Sequence, residues 1–209
     1  MKKGLLLVDK SPGSTSFQIV SELRRLCKER TIGHAGTLDP FATGVMVMLI
    51  GREFTRKADT FLSSDKEYLA TLTLGVATDT YDLEGQVTLR NDFIPKEEQI
   101  ELALGQFQGN VLQIPPMYSA KKHQGKKLYD LARKGIVIER EPVLVRMKIR
   151  LIHYSYPHLE IHVECSKGTY IRSLAHDLGI ALGCGAHLSK LTRIRSGTFN
   201  LEECIPKAI

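Results

Sequence analysis

No two of the four cysteines are placed to grip a metal together: Cys27, Cys165, Cys184 and Cys204 lie far apart with no C-x-x-C spacing. Neither a zinc site nor a disulfide framework is indicated, and reduced thiols in a cytosol fit this usage. A long apolar run is missing as well. The N-terminal Met1-Lys2-Lys3-Gly4-Leu5-Leu6-Leu7-Val8 is too short for the apolar region of a signal peptide, and no stretch reaches the length of a membrane span. These absences predict a cytoplasmic protein without a membrane partner. There is no internal repeat and no low-complexity linker, so the 209 residues read as a single domain, 1–209, carrying one sizeable insertion. Asp79, Asp82 and Glu84 do not complete the oxygen-ligand pattern of a calcium loop and read as a polar turn around Gly85; no metal site is expected.

What the chain does have is positive charge in one place. The 29 Lys and Arg against 23 Asp and Glu give a formal charge of +6. Tyr118 to Lys148 contains Lys121, Lys122, Lys126, Lys127, Arg133, Lys134, Arg140, Arg146 and Lys148 but only Asp130, Glu139 and Glu141, and so carries the whole excess. A segment of that kind is either a solvated face or the footprint of a polyanion. Lys190, Arg193 and Arg195 form a second basic run with no acid between them.

The apolar pattern predicts alternating strands and helices. Leu5 to Val8 reads as a short strand, and Thr15-x-x-Gln18 has the form of a capping box opening a helix with Phe17, Ile19, Val20, Leu23, Leu26 and Cys27 on its apolar face. Val45 to Ile50 is apolar without interruption and suits a strand buried on both faces. Tyr68 to Leu74 reads as a strand opened by Tyr68, and Lys96 to Phe107 as a helix. Strict alternation at 143–151 recurs at 159–165, predicting an antiparallel pair. A helix then carries Ile171, Leu174, Ala175, Leu178 and Leu182 and stops at Gly183. The class is α+β with a mixed sheet.

The most informative segment is Gly33-His34-Ala35-Gly36-Thr37-Leu38-Asp39-Pro40-Phe41-Ala42-Thr43-Gly44, which sets one carboxylate among turn-forming residues just before the buried strand. Taken by its residues alone, Asp39 either stabilises its own turn or is a carboxylate presented for chemistry. The segment resembles the catalytic segment of the TruB family of tRNA pseudouridine synthases. Four further stretches are similar to that family's motifs: Val8 to Ser16, Lys66-Glu67-Tyr68, Pro115 to Lys122, and Cys165 to Leu174.

The resemblance implies a pseudouridine synthase catalytic fold with a largely antiparallel central sheet flanked by helices. It also implies isomerisation of the uridine at position 55 in the T loop of tRNA, with no external cofactor and no protein partner required, by a monomer. Asp39 matches the nucleophile, Arg172 the arginine that pairs with it, and Tyr68 the active-site tyrosine that stacks on the uracil. His34 matches the histidine that fills the space left by the flipped base, and Tyr170 and Leu191 match pocket positions. Tyr118 to Pro142 corresponds to the thumb insertion. Lys10, Lys121, Lys122, Lys126, Lys127, Lys190 and Arg193 are expected to contact the RNA, the last two with Arg195 at a second group of phosphates. Two departures stand out: the family commonly has Lys-Pro where this chain has Lys10-Ser11, and many members continue into a PUA-type RNA-binding domain beyond the point where this sequence stops. Two other readings use the same basic surface. One is a non-catalytic RNA-binding module or tRNA folding chaperone; the other is the same chemistry on a different RNA.

Overall fold

The computed structural model describes residues 3–206. The chain begins with β1 (Gly4–Lys10), α1 (Ser16–Cys27), β2 (Ile32–His34), β3 (Thr43–Ile50), two short helices α2 (Arg52–Thr55) and α3 (Ala58–Leu62), and β4 (Lys66–Leu74). It continues through β5 (Val76–Thr78), β6 (Val87–Arg90), α4 (Glu97–Gly105), β7 (Gly109–Gln113), β8 (Lys122–His123), β9 (Lys126–Lys127), α5 (Leu128–Ala132), β10 (Val143–Ser155) and β11 (His158–Cys165). After α6 (Ile171–Ala181) come β12 (Ala186–Ser196), β13 (Phe199–Asn200), a 3-10 turn and β14 (Ile205–Pro206). The fold is α+β, as the alternation of patterns predicts.

Packing divides the chain into two compact units, one of residues up to Leu69 together with those from Lys190, the other of Ala70–Ser189. Neither boundary is a linker: one falls within β4 and the other within β12.

In the first unit β1 runs antiparallel to β3 from Gly4↔Ile50 to Lys10↔Gly44, and β12 joins β3 in parallel at Thr192↔Thr43. β2 also pairs with β3, and β14 lies parallel to β1. β3 is buried on both faces, as its unbroken apolar run requires. Val45, Val47 and Leu49 pack with Ala35, Phe54, Phe61 and Phe199, while Met46 and Met48 on the opposite parity are equally buried. The capping box forms: Gln18 N donates to Thr15 Oγ1 (3.1 Å) and the Gln18 side chain meets Thr15 N (2.6 Å). The apolar face of α1 is narrower than its spacing predicts. Ile19 and Val20 are buried, whereas Phe17 and Leu26 face solvent at 66% and 64% exposure.

In the second unit β7, β10 and β11 are successive antiparallel neighbours, with Met147↔Cys165 and Ile149↔Val163 aligning the two predicted runs. A register shift between Leu151 and His153 lets β10 continue to Ser155, beyond the clean alternation. α6 buries seven residues, among them Ile171, Leu174, Ala175 and Leu178. Among the described residues no helix is long and apolar enough to cross a membrane.

Asp177 lies half-buried on α6, and burial raises its carboxyl from 3.8 to about 6. The native state then binds this proton more tightly than the unfolded chain, so stability contributed here falls as pH rises from about 4 to about 6. Asp177→Asn removes that penalty. Thermal unfolding should show the variant more stable than the parent at pH 7, with the difference shrinking as pH falls through 6 towards 4. A gain that does not vary with pH would contradict this assignment.

Candidate active site

The segment around Asp39 is a turn held by side chains from three directions. Lys10, fully buried at the end of β1, donates from Nζ to the carbonyls of Pro40 (2.8 Å), Ala42 (2.5 Å) and Ser11 (3.2 Å). Arg193, 1% exposed on β12, donates from Nε to Val45 O (2.7 Å) and reaches Gly36 O (3.2 Å) and Thr37 O (3.5 Å) with its terminal nitrogens. Ser16, the first residue of α1, donates from Oγ to Leu38 O and accepts from Leu38 N, both at 3.1 Å. The turn is closed internally by Ala42 N donating to Asp39 O (3.1 Å), and Gly13 N donates to Pro40 O (2.9 Å). Every carbonyl from Gly36 to Pro40 is thus an acceptor, and the backbone that carries Asp39 has little freedom left.

Lys10 and Arg193, both expected from the sequence at the RNA, are internal here, and their donors face the carbonyls of the Asp39 segment. Burying a cation costs several kcal/mol, offset here by charge-assisted hydrogen bonds of roughly 1.5–3 kcal/mol each. The signal for Arg193 was in its parity: it follows Leu191 by two residues on a strand, and Leu191 is itself buried. Arg195, from the same run, hydrogen-bonds and ion-pairs with Glu67 and donates to Gly197 O (2.6 Å). Of that run Lys190 is exposed.

His34 ends β2, opposite Met48 of β3. Its imidazole is held below the usual histidine value, first by burial and second by the Arg193 charge, with a smaller opposing contribution from the Gly36 backbone. It is therefore neutral at pH 7. Tyr68 is 9% exposed and sits within β4 rather than opening it, because the strand begins at Lys66. Lys66 reaches back to the carbonyls of Leu62 and Ser64, fixing the entry to that strand.

The second unit holds Arg172 and Tyr170 where α6 begins. Arg172 is 6% exposed; its guanidinium meets Asp82 (3.4 Å) and donates to Thr80 O (3.3 Å) and Tyr118 O (2.8 Å). Asp82, 4% exposed, accepts from Thr80 Oγ1 (2.6 Å) and Glu84 N (3.0 Å). It is part of the polar turn that the sequence predicts, and it is also the carboxylate for a buried arginine. No spacing in the sequence joins residues ninety positions apart, so this role was not legible. The Tyr170 backbone is clamped by the Gln113 amide, which accepts from Tyr170 N (2.8 Å) and donates to Tyr170 O (3.0 Å). Ser173 Oγ donates to Ile114 O (2.8 Å). The motif around Pro115-Pro116-Met117-Tyr118 is therefore tied directly to the motif that opens α6.

The basic insertion contains a hairpin that the sequence analysis did not anticipate. β8 and β9 pair across Gln124 and Gly125, both in the left-handed region (φ 47° and 81°) that a tight hairpin turn uses. Lys122 stands opposite Lys127, and His123 opposite Lys126. Like charges facing each other across strands repel, and an anionic ligand relieves that repulsion. Lys122, Lys126 and Lys127 are exposed and Lys121 is half-buried. Behind them α5 anchors the insertion through Leu128, 2% exposed, and Tyr129, whose ring lies beneath Lys127 (5.2 Å) and Arg133 (5.5 Å).

The motifs are thus placed in two internally fastened settings. Comparison with known proteins supplies the family. Residues 24–171 match the model of the TruB family pseudouridylate synthase N-terminal domain, and residues 172–206 that of the tRNA pseudouridylate synthase B C-terminal domain. The chain belongs to the TruB family of pseudouridylate synthases. It is 61% identical over 203 residues to tRNA pseudouridine synthase B of Protochlamydia amoebophila, covering 97% of this chain and 78% of that protein. It is 57% identical over 203 residues to tRNA pseudouridine synthase B of Chlamydia muridarum, covering 97% and 84%. Among solved structures, a chain in a Cbf5-Nop10-Gar1 complex superposes with a TM-score of 0.77 at 29% identity, over 98% of this chain. This chain spans 52% of that one.

The clamp on the Asp39 segment gives a direct test. Gly44 has φ +101°, and a Cβ there would lie 2.2 Å from the Arg193 carbonyl oxygen, where β3 meets β12. Gly44→Ala should destabilise the protein by roughly 3 kcal/mol or more, measured by urea unfolding, because backbone and not a flexible side chain must move. A loss below about 1 kcal/mol would show that the two strands separate readily.

Proposed function

We propose that this protein isomerises uridine to pseudouridine in the T loop of tRNA, at position 55, with Asp39 as the covalent nucleophile. The observation that carries the reading is the Asp39 segment, whose consecutive carbonyls are fixed by Lys10, Ser16 and Arg193. A nucleophile reacting with a bound base gains most when its backbone is fixed beforehand. Asp39 bonds to the substrate at C6 or C1′ and is released again; meanwhile the glycosidic C1′–N1 bond breaks, the uracil rotates, C5 joins C1′, and the proton lost from C5 is balanced by the one gained at N1.

Each site residue has a task in this reaction. Arg172 matches the family arginine whose charge keeps the nucleophilic carboxylate ionised where burial alone would favour the protonated acid. Tyr68 stacks on the extruded uracil. Flipping the base out costs a few kcal/mol, and the neutral His34 ring occupies the gap without bringing a charge into the stack. Tyr170 and Leu191 match the family's pocket positions. The thumb, Tyr118 to Pro142, follows the phosphates through Lys121, Lys122, Lys126 and Lys127, with Lys190 contributing from β12. The relatives named tRNA pseudouridine synthase B support tRNA as the substrate. The enzyme acts in the cytoplasm as a monomer without a protein partner, although the Cbf5 chain is seen in complex with Nop10 and Gar1.

Incubation with unmodified tRNA, followed by mapping of pseudouridine, tests the reading and separates an enzyme from an RNA-binding module. Asp39→Asn should abolish product while leaving tRNA affinity within a few-fold, since the amide keeps size and polarity but is no nucleophile. Product at a near-normal rate from that variant would refute the mechanism.

Neutralising Lys121, Lys122, Lys126 and Lys127 should flatten the dependence of log affinity on log salt by roughly 0.7 to 0.9 for each phosphate that these lysines neutralise in the parent complex. Binding measured across a salt series gives the slope. An unchanged slope would place those lysines in solvent only.

A further inference from the structure

Arg172 and His176 are one turn apart on α6, and they hold adjacent residues of one loop. Arg172 meets Asp82 at 3.4 Å, and His176 stacks on Tyr81 with ring centroids 3.8 Å apart and planes at 12°. Tyr81 adopts φ +65°, a left-handed conformation that costs free energy for a bulky residue and persists only when its surroundings enforce it. The enforcement is visible on both sides. Tyr81 N donates to Thr78 O (3.3 Å), Leu188 N donates to Tyr81 O (3.0 Å), and Leu83 N donates to Leu188 O (3.1 Å). Thr78 Oγ1 donates to Asp82 O (2.7 Å). Burial, and secondarily the Arg140 charge, holds the His176 imidazole below its usual value.

We propose that the Tyr81–His176 stack is a positioning device for the reaction: it locks the strained turn that sets Asp82 against the Arg172 guanidinium. The inference rests on the reading of Arg172 as a participant in pseudouridine formation. Without the stack the turn relaxes from the left-handed conformation, Asp82 shifts, and Arg172 loses its orientation while the RNA surface is untouched. A displacement of about 1 Å in such a group is enough to cost two orders of magnitude in rate.

The test uses the full chain, unmodified tRNA as substrate, single-turnover rates, RNA affinity, and thermal unfolding for Tyr81→Phe, Tyr81→Ala, Tyr81→Gly, His176→Ala, His176→Phe and the double alanine variant. Loss of either ring should lower the rate constant about ten- to hundredfold, with RNA affinity changed less than about threefold. Tyr81→Phe and His176→Phe retain ring against ring and should recover the rate to within about threefold of the parent. The double variant should be no slower than the slower single one, because both act through one stacked pair. Tyr81→Gly, which relieves the backbone without supplying a ring, should be as slow as Tyr81→Ala.

Alanine variants that are folded and react at the parental rate overturn the inference, as does a loss confined to RNA affinity or one that phenylalanine does not recover. If Tyr81→Ala does not fold, His176→Ala against His176→Phe decides; if neither alanine variant folds, the stack is a folding element and the inference fails. A parent protein that makes no pseudouridine overturns the reaction itself. An active parent with unaffected variants overturns the stack's role alone.

Discussion

The geometry of the first unit depends on two buried cations that hydrogen-bond to backbone carbonyls. Lys10 and Arg193 come from β1 and β12, two of the strands paired with β3, and both reach the turn that precedes β3. A turn of this kind would ordinarily leave its carbonyls to water. Here they face donors with fixed positive charge in a dry interior, where each hydrogen bond is stronger and where leaving one unmade would be costly. The arrangement fixes the backbone of Asp39 and builds positive charge beside its segment, which is the environment a reactive carboxylate needs.

The same device recurs in the second unit with a different outcome. Arg172 also donates to main-chain carbonyls, those of Thr80 and Tyr118, but it faces a carboxylate, Asp82, that is buried with it. A buried pair of this sort adds little net stability, yet removing either partner leaves a charge stranded in the interior. Its benefit lies in orientation: Asp82 is held by Thr80 and by the Glu84 amide, so the arginine is aimed by groups that are themselves aimed.

Charge is therefore used in two ways. The interior cations organise the backbone. The exposed ones lie on the β8–β9 hairpin, where Lys122 faces Lys127 across the strands and Lys127 also rests on Tyr129. That contrast divides this chain's basic positions into those that hold backbone carbonyls and those that face solvent.

The sequence by itself determined the elements whose signal is local. The capping box at Thr15, the unbroken apolar run of β3, the matched alternations of β10 and β11, and the α6 pattern ending at Gly183 each contain their own physical cause within a few residues. The order of motifs was enough to place the family. Tertiary structure alone decided whether a given polar residue faced outward or inward. Lys10 and Arg193 look like surface cations until β3 is seen to bring carbonyls to them, and Asp82 looks like a turn residue until α6 delivers Arg172. β12 and the β8–β9 hairpin escaped sequence reading for a related reason: one mixes apolar with basic positions, and the other is two residues per strand. A side chain's partner across a hundred residues is set by which strands pair and which helix packs, and that information is distributed over the whole chain.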